Sequence, residues 1–219
     1  MSKTLPLLFF CCLCSLANRA FAQPYRVEIR LFEKQDSLSM PAPGQVLFVG
    51  SSSFRLWTDV QSDFPGTPIL NRGFGGSTLE DMIYYEKKII TPYKPRKIVI
   101  YCGENDLAYS DTVTAKHVLA RFEKLFAMIR SDYPQTPVIY VSIKPSPSRQ
   151  RLIAKVAESN ELIRKFLRTQ PRTRFVDIYH KMLDKNGNPR KELFLEDMLH
   201  MNREGYRIWQ KALKPLLKK

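Results

Sequence analysis

The sequence predicts an α/β fold, a three-layer α/β/α sandwich built around a five-stranded, mostly parallel sheet. Two observations lead to this prediction. From Val46 onward, short apolar runs alternate with segments of helical periodicity. The apolar runs lack the in-out alternation of a half-exposed strand, which is typical of parallel strands covered on both faces. The sheet is therefore expected to lie between two layers of helices.

The elements follow in order along the chain. Strands are predicted at 46–49, 68–71, 98–102, 138–142 and 174–177. Helical spacing of apolar residues predicts helices over 79–90, 118–129, 152–167 and 205–213. Thr114 is placed to cap the second helix, and Pro134 and Pro137 force the chain out of it. Residues 23–45 form an N-terminal arm, for which a helix packed on the domain is favoured, although Val27, Ile29 and Leu31 alternate as in a strand.

The first 22 residues are predicted to be a signal peptide that precedes the arm at 23–45 and the main domain at 46–219. Lys3 precedes an apolar run, and Ala20-Phe21-Ala22 has the pattern of a cleavage site. The run of about 13 residues is too short to span a bilayer, and no later segment is apolar enough to do so. The protein is therefore expected to be periplasmic or secreted. A lipoprotein signal ending at Cys11 is the alternative.

The net charge of the expected mature chain limits its possible binding partners. Loss of Lys3 and Arg19 with the signal peptide leaves 33 basic and 21 acidic residues, a net charge of +12. The basic residues are scattered, which argues against nucleic-acid binding, and an anionic envelope surface is the partner that the charge favours.

Cys102 is the one cysteine of the expected mature chain, so no internal disulfide forms, and its apolar surroundings predict a buried thiol without a catalytic role.

Four short polar segments stand out because of their position. Gly-Ser-Ser-Ser at 50–53, Gly-Gly-Ser at 75–77 and Gly-Glu-Asn-Asp at 103–106 each follow a predicted strand, and Asp-Met-Leu-His at 197–200 precedes the last helix. Ligands of parallel α/β sheets bind at the carboxyl ends of the strands. The first three segments therefore share one edge of the sheet, and the fourth is able to reach it.

Together these segments contain the groups that acyl transfer by a serine requires. A serine hydroxyl is a weak nucleophile until a base removes its proton, and an Asp three residues before a His can orient the imidazole ring. Backbone N–H groups and an Asn amide can stabilise the oxyanion that forms. Each segment alone is more often an ordinary turn or cap, so the inference depends on their joint order.

The segments resemble the four blocks of the SGNH hydrolases, the GDSL-type lipase and esterase family, over about 46–209. The resemblance implies a flavodoxin-like SGNH hydrolase fold and a carboxylic ester hydrolase. It implies that Ser52 is the nucleophile, that His200 is the base and that Asp197 orients His200. It also implies an oxyanion hole, made by the residues Ser52, Gly76 and Asn105.

One residue departs from the family pattern, because Ser51 stands where the family has Asp before the nucleophile. With Gly50 aligned, only the central one of the three serines matches the nucleophile. His117 and His180 are interpreted as surface or packing histidines. Glu104 and Asp106 lie too close in one loop to oppose each other as a glycosidase pair and are interpreted as structural. No metal-ligand spacing is present, so neither a metal nor another cofactor is predicted.

The sequence indicates the substrate less clearly than it indicates the reaction. The basic, proline-containing loop at 144–149 is a candidate rim of the site, and Phe54, Trp57 and Phe74 offer either sugar-stacking surface or core packing. The expected function is an exported serine esterase acting on small-molecule or glycan acyl esters. A carbohydrate O-acetyl esterase and a non-catalytic glycan-binding module remain as alternatives.

Overall fold

Five parallel strands form the sheet in a computed structural model, which describes residues 25–218. The order is β2-β1-β3-β4-β5, and each neighbouring pair is parallel, so the predicted sheet is confirmed. The predicted strands lie within one or two residues of the observed bounds. These are β1 (Val46–Gly50), β2 (Ile69–Gly73), β3 (Lys97–Tyr101), β4 (Val138–Val141) and β5 (Thr173–Val176).

Helices cover both faces of this sheet. They are α1 (Arg26–Leu38), α2 (Ser52–Arg55), α3 (Val60–Asp63), α4 (Leu79–Ile89), α5 (Glu104–Tyr109), α6 (Ala115–Asp132), α7 (Ile153–Arg168) and α8 (Arg203–Leu217). Because side chains alternate along a strand, Leu47 and Val49 pack with α1, α4, α6 and α7, whereas Val46 and Phe48 pack with α2, α3 and α8. The two separate cores confirm the three-layer sandwich. The predicted signal peptide lies outside the described residues.

Local sequence explains where the main helices begin. Thr114 accepts the backbone N–H of His117, and the His117 ring accepts the N–H of Thr114 in return, so the predicted cap is part of a capping box. Asn202 caps α8 by accepting two backbone N–H groups. A cap of this kind contributes about 0.5–2 kcal/mol. His117 is therefore used in helix capping.

The N-terminal arm is helical, as favoured from the sequence, and the strand alternative is wrong. In α1, Ile29 is buried. Glu28 accepts the backbone N–H of Gly75 at 2.7 Å. The Tyr25 ring packs edge-on against Phe74, with centroids 5.4 Å apart, and a Cβ added to Gly75 would lie 2.1 Å from that ring. The arm thus packs directly on the loop that follows β2.

The aromatic residues considered for sugar stacking lie in the core. Phe54, Trp57 and Phe74 are 0–1% exposed. The Trp57 indole N–H donates to Asp63 at 2.7 Å, which satisfies its one polar atom. Core packing is therefore the correct interpretation of these residues, and the stacking-surface alternative is wrong. Full burial of each such side chain contributes about 1.5–3 kcal/mol.

Candidate active site

The turn after β1 is possible only because residue 50 is glycine. Gly50 has a φ of +149°, and a Cβ at this position would lie 1.9 Å from the Tyr101 carbonyl oxygen. The N–H of Ser51 donates to the same carbonyl at 3.0 Å. The close approach of β1 to β3 places Ser52 at the first residue of α2, at the carboxyl edge of the sheet.

Ser52, His200 and Asp197 form a continuous hydrogen-bonded chain. The Ser52 Oγ lies 3.1 Å from His200 Nε2, and His200 Nδ1 lies 2.6 Å from Asp197 Oδ2. Ser52 and His200 are 148 residues apart in sequence. The order of a hydroxyl, an imidazole and a carboxylate is that required for nucleophilic catalysis by serine.

Hydrogen bonds from its backbone to the Asp197 side chain hold the turn at residues 197–200, called here the Asp197 turn. Asp197 Oδ1 accepts the N–H groups of Leu199 and His200, both at 2.9 Å, while Met198 adopts a left-handed φ of +53°. Burial by itself would raise the pKa of Asp197, but the hydrogen bonds from His200 and Leu199 outweigh it and lower the pKa to about 2. The carboxylate is therefore ionised wherever an imidazole can act as a base.

Asn105 and Gly76 lie side by side near the same edge. A Cβ added to Gly76 would be 3.6 Å from Asn105 Nδ2. The Asn105 amide donates to Ser51 Oγ at 2.8 Å and to the Ser77 carbonyl at 3.2 Å. Both amide hydrogens thus have acceptors within the protein, and a developing oxyanion would have to replace one of them. The hydroxyl of Ser51 can rotate away, so it is the more easily replaced acceptor.

Sequence reasoning missed the contact that Arg149 makes with the site. Arg149 Nη2 donates to Asn105 Oδ1 at 2.8 Å. The loop at 144–149 was predicted to rim a pocket, and this is wrong for Lys144, which is 1% exposed and forms an ion pair with the buried Glu104. The signal available in the sequence was a lone glutamate after a buried strand together with two basic residues after the next strand.

Asp106 and the neighbouring Cys102 have structural contacts. Asp106 is fully buried, accepts the N–H of Leu79 at the start of α4 at 3.0 Å, and pairs with Arg121 at 2.9 Å. Burial raises the pKa of Cys102 well above its usual range, and its thiol faces the Ser77 carbonyl. These contacts agree with the structural roles expected for both residues.

His180 lies outside this arrangement. Its Nδ1 is 2.6 Å from Asp177 Oδ2, and its side chain is 75% exposed. Among residues 25–218, no hydroxyl group hydrogen-bonds to the His180 ring. The surface position expected for His180 is therefore observed.

Two features are absent from the described part of the chain. Between residues 25 and 218, no group of three or more His, Cys, Asp and Glu side chains is arranged to hold a metal ion. No helix in the same range combines the length and the apolar character needed to cross a membrane.

The geometry above is a serine, a histidine and an aspartate at the carboxyl edge of a parallel sheet, and comparison with known families identifies the class of the protein. The model of the GDSL-like lipase/acylhydrolase family matches residues 44–208. The chain belongs to this family, which confirms the resemblance seen in the four segments. It is therefore a carboxylic ester hydrolase. No curated protein matches the chain at a significant level of sequence similarity.

Solved structures share the fold at low sequence identity. A Streptococcus pneumoniae protein provisionally described as a platelet activating factor is 22% identical, with a TM-score of 0.78 over 89% of this chain and 93% of its own. A GDSL-like lipase from Bacteroides thetaiotaomicron is 19% identical, with a TM-score of 0.72 over 86% and 96%. A family 3 carbohydrate esterase from Talaromyces cellulolyticus is 15% identical, with a TM-score of 0.61 over 80% and 96%.

Proposed function

We propose that the protein is an exported serine esterase that works through an acyl-enzyme. The observation that carries the proposal is the 3.1 Å contact between Ser52 Oγ and His200 Nε2, continued by the 2.6 Å contact to Asp197. Ser52 attacks the ester carbonyl carbon while His200 takes its proton. The N–H groups of Ser52 and Gly76 and the amide of Asn105 stabilise the oxyanion, and each such donor contributes on the order of 10²–10³ in rate.

The second half of the reaction returns the enzyme to its starting state. When the tetrahedral intermediate collapses, His200 gives its proton to the leaving alcohol and the acyl group stays on Ser52. A water molecule then attacks the acyl carbon as His200 takes one of its protons. Collapse of the second intermediate releases the carboxylic acid and returns the proton to Ser52 Oγ. The carboxylate of Asp197 remains ionised throughout and stabilises the imidazolium.

Acyl esters of carbohydrates, including acetyl esters, are the substrate class that we favour. A groove of about 930 Å³ is lined by Gln150, Asp184, Asn188, Arg190 and Glu192, among others. Its lining mixes these polar side chains with Pro147, Leu183 and Pro189, so it offers hydrogen-bonding partners to a ligand that carries hydroxyl groups. The N–H of Ser148, in the loop that also lines the groove, donates to the Met198 carbonyl within the Asp197 turn at 3.0 Å. Family 3 carbohydrate esterases from Talaromyces cellulolyticus and Clostridium thermocellum share the fold.

The test compares Ser52→Ala with Ser53→Ala, a neighbouring serine whose side chain is buried. Ser52→Ala is expected to abolish hydrolysis of p-nitrophenyl acetate and of acetylated xylo- and muro-oligosaccharides, together with labelling by a fluorophosphonate. Ser53→Ala is expected to retain both. Activity and labelling in Ser52→Ala would remove Ser52 from the mechanism. A wild-type protein that binds glycans but hydrolyses no ester would support the non-catalytic module instead.

A further inference from the structure

Arg149 determines which way the Asn105 amide faces. Arg149 lies in the short helix Pro147–Leu152 that follows β4, and its Nη2 reaches Asn105 at 2.8 Å. A guanidinium group has donors only, so its partner on the amide must be the oxygen. The amide nitrogen is thereby turned to the opposite side, toward Ser51 and the Ser77 carbonyl, which both accept from it.

The buried carboxylate of Glu104 holds Arg149 in place. Its side chain is 19% exposed, and Nη1 lies 3.4 Å from Glu104 Oε1. Glu104 also pairs with Lys144 and accepts hydrogen bonds from Ser146 and Tyr101. Both the Glu104 and Lys144 side chains are at most 6% exposed, so the pair is rigidly packed under the loop.

The basic side chains of this cluster keep Glu104 ionised. Burial by itself would raise the pKa of Glu104, but Lys144 and Arg149 outweigh it and hold that pKa below its usual range, so Glu104 is ionised. Burial lowers the pKa of Lys144. The cation in contact with the Asn105 amide is the Arg149 guanidinium. A hydrogen bond from a cation to the amide oxygen polarises the amide and strengthens its N–H groups as donors.

We propose that Arg149 is a positioning residue for Asn105: it orients and polarises the amide so that its N–H is presented to the oxyanion. This inference rests on the proposed role of Asn105 as an oxyanion donor. Arg149 acts through Asn105 and its charge acts mainly when negative charge develops on the substrate. Its contribution is therefore greater in the transition state than in the ground state, so kcat should respond and KM should not.

The test is a double-mutant cycle between Arg149→Met and Asn105→Ala, with hydrolysis of p-nitrophenyl acetate as the measurement. Asn105→Ala is expected to lower kcat by about 10²–10³. Arg149→Met is expected to lower kcat by about tenfold, since a hydrogen bond to a charged group is lost, with KM changed less than about twofold. In the Asn105→Ala background, Arg149→Met should change kcat by less than about twofold. Arg149→Lys should restore part of the loss.

Arg151→Met is the matched control, because Arg151 lies in the same short helix and pairs with Asp111 at the surface. It should leave kcat unchanged. If Arg149→Met lowers kcat equally in both backgrounds, or lowers it only together with the melting temperature, the positioning role is wrong. If Asn105→Ala costs the expected amount and Arg149→Met costs nothing, the inference fails while the proposed function stands. If Asn105→Ala itself costs nothing, the oxyanion role of Asn105 fails first.

Discussion

Asp177 and His180, which follow β5, form a turn that repeats the local geometry of Asp197 and His200. In both pairs the residues are three apart, His Nδ1 lies 2.6 Å from an Asp oxygen, and the other Asp oxygen accepts the N–H of the same histidine. The pairs differ in their surroundings. The His200 side chain is 23% exposed and faces Ser52, whereas the His180 side chain is 75% exposed.

The difference follows from strand order. Asp177 comes directly after β5, at the edge of the sheet, while β1 lies between β2 and β3 and carries Ser52 at its end. Asp197 and His200 lie about 20 residues after the end of β5 and just before α8. Helix α8 packs on the same face of the sheet as α2. A short motif can therefore build the Asp–His pair anywhere, but only the fold can bring a serine to it.

The histidine variants test this comparison with the largest expected effect. His200→Ala should lower kcat/KM for p-nitrophenyl acetate by at least about 10³-fold, because Ser52 loses its base. His180→Ala should change kcat/KM by less than about twofold. Steady-state kinetics on both variants measure the contrast, and a comparable loss in His180→Ala would mean that the wrong pair has been assigned.

The aspartate variants sharpen the comparison with a smaller effect. Asp197→Asn keeps the shape of the side chain but removes the charge that orients and stabilises the imidazolium, so kcat should fall by about 10²–10⁴. Asp177→Asn should leave kcat unchanged within about twofold. The measurement is kcat at saturating substrate, with circular dichroism to show that both variants are folded. Equal activities in the two variants would refute the assigned role of Asp197.

The pH dependence of stability gives the smallest effect. The pKa of Asp197 is lowered from 3.8 to about 2 in the folded protein. Its ionised form therefore contributes stability that is fully present above about pH 4 and is lost as the pH falls toward 2. In chemical denaturation, Asp197→Asn should be less stable than the wild type at pH 6, and the gap should close between about pH 4 and pH 2.

Asp177→Asn is measured alongside as the reference for that experiment. The carboxyl carbon shift of Asp197, followed by NMR in the wild type, should show a midpoint near pH 2. A midpoint near the ordinary aspartate value would show that the hydrogen bonds from His200 and Leu199 do not hold the carboxylate as described.

Sequence reasoning located the strands and the four polar segments well because both depend on local patterns. The runs at 46–49 and 98–102 are apolar because the strands are covered on both faces, and the observed strands differ from them by no more than one residue at either end. Helices α2, α3 and α5 were not predicted, because they are only four to six residues long and so leave no periodic pattern.

The supporting contacts of the candidate site could not be predicted in the same way. Lys144 was expected at a rim, since lysine is rarely buried without a partner. Its partner Glu104 is 40 residues away in sequence, and nothing local to either residue indicates the pair. The contact of Arg149 with Asn105 spans 44 residues and was missed for the same reason.

By itself, the sequence determined the fold class, the family and the order of Ser52, Gly76, Asn105, Asp197 and His200, since periodicity and short motifs are local properties of the chain. The tertiary structure decided which of the two Asp–His pairs faces a serine and which basic side chain contacts the Asn105 amide. It also decided that Phe54, Trp57 and Phe74 belong to the core. These outcomes depend on strand order and on which residues share a face, so they arise only when distant segments pack together.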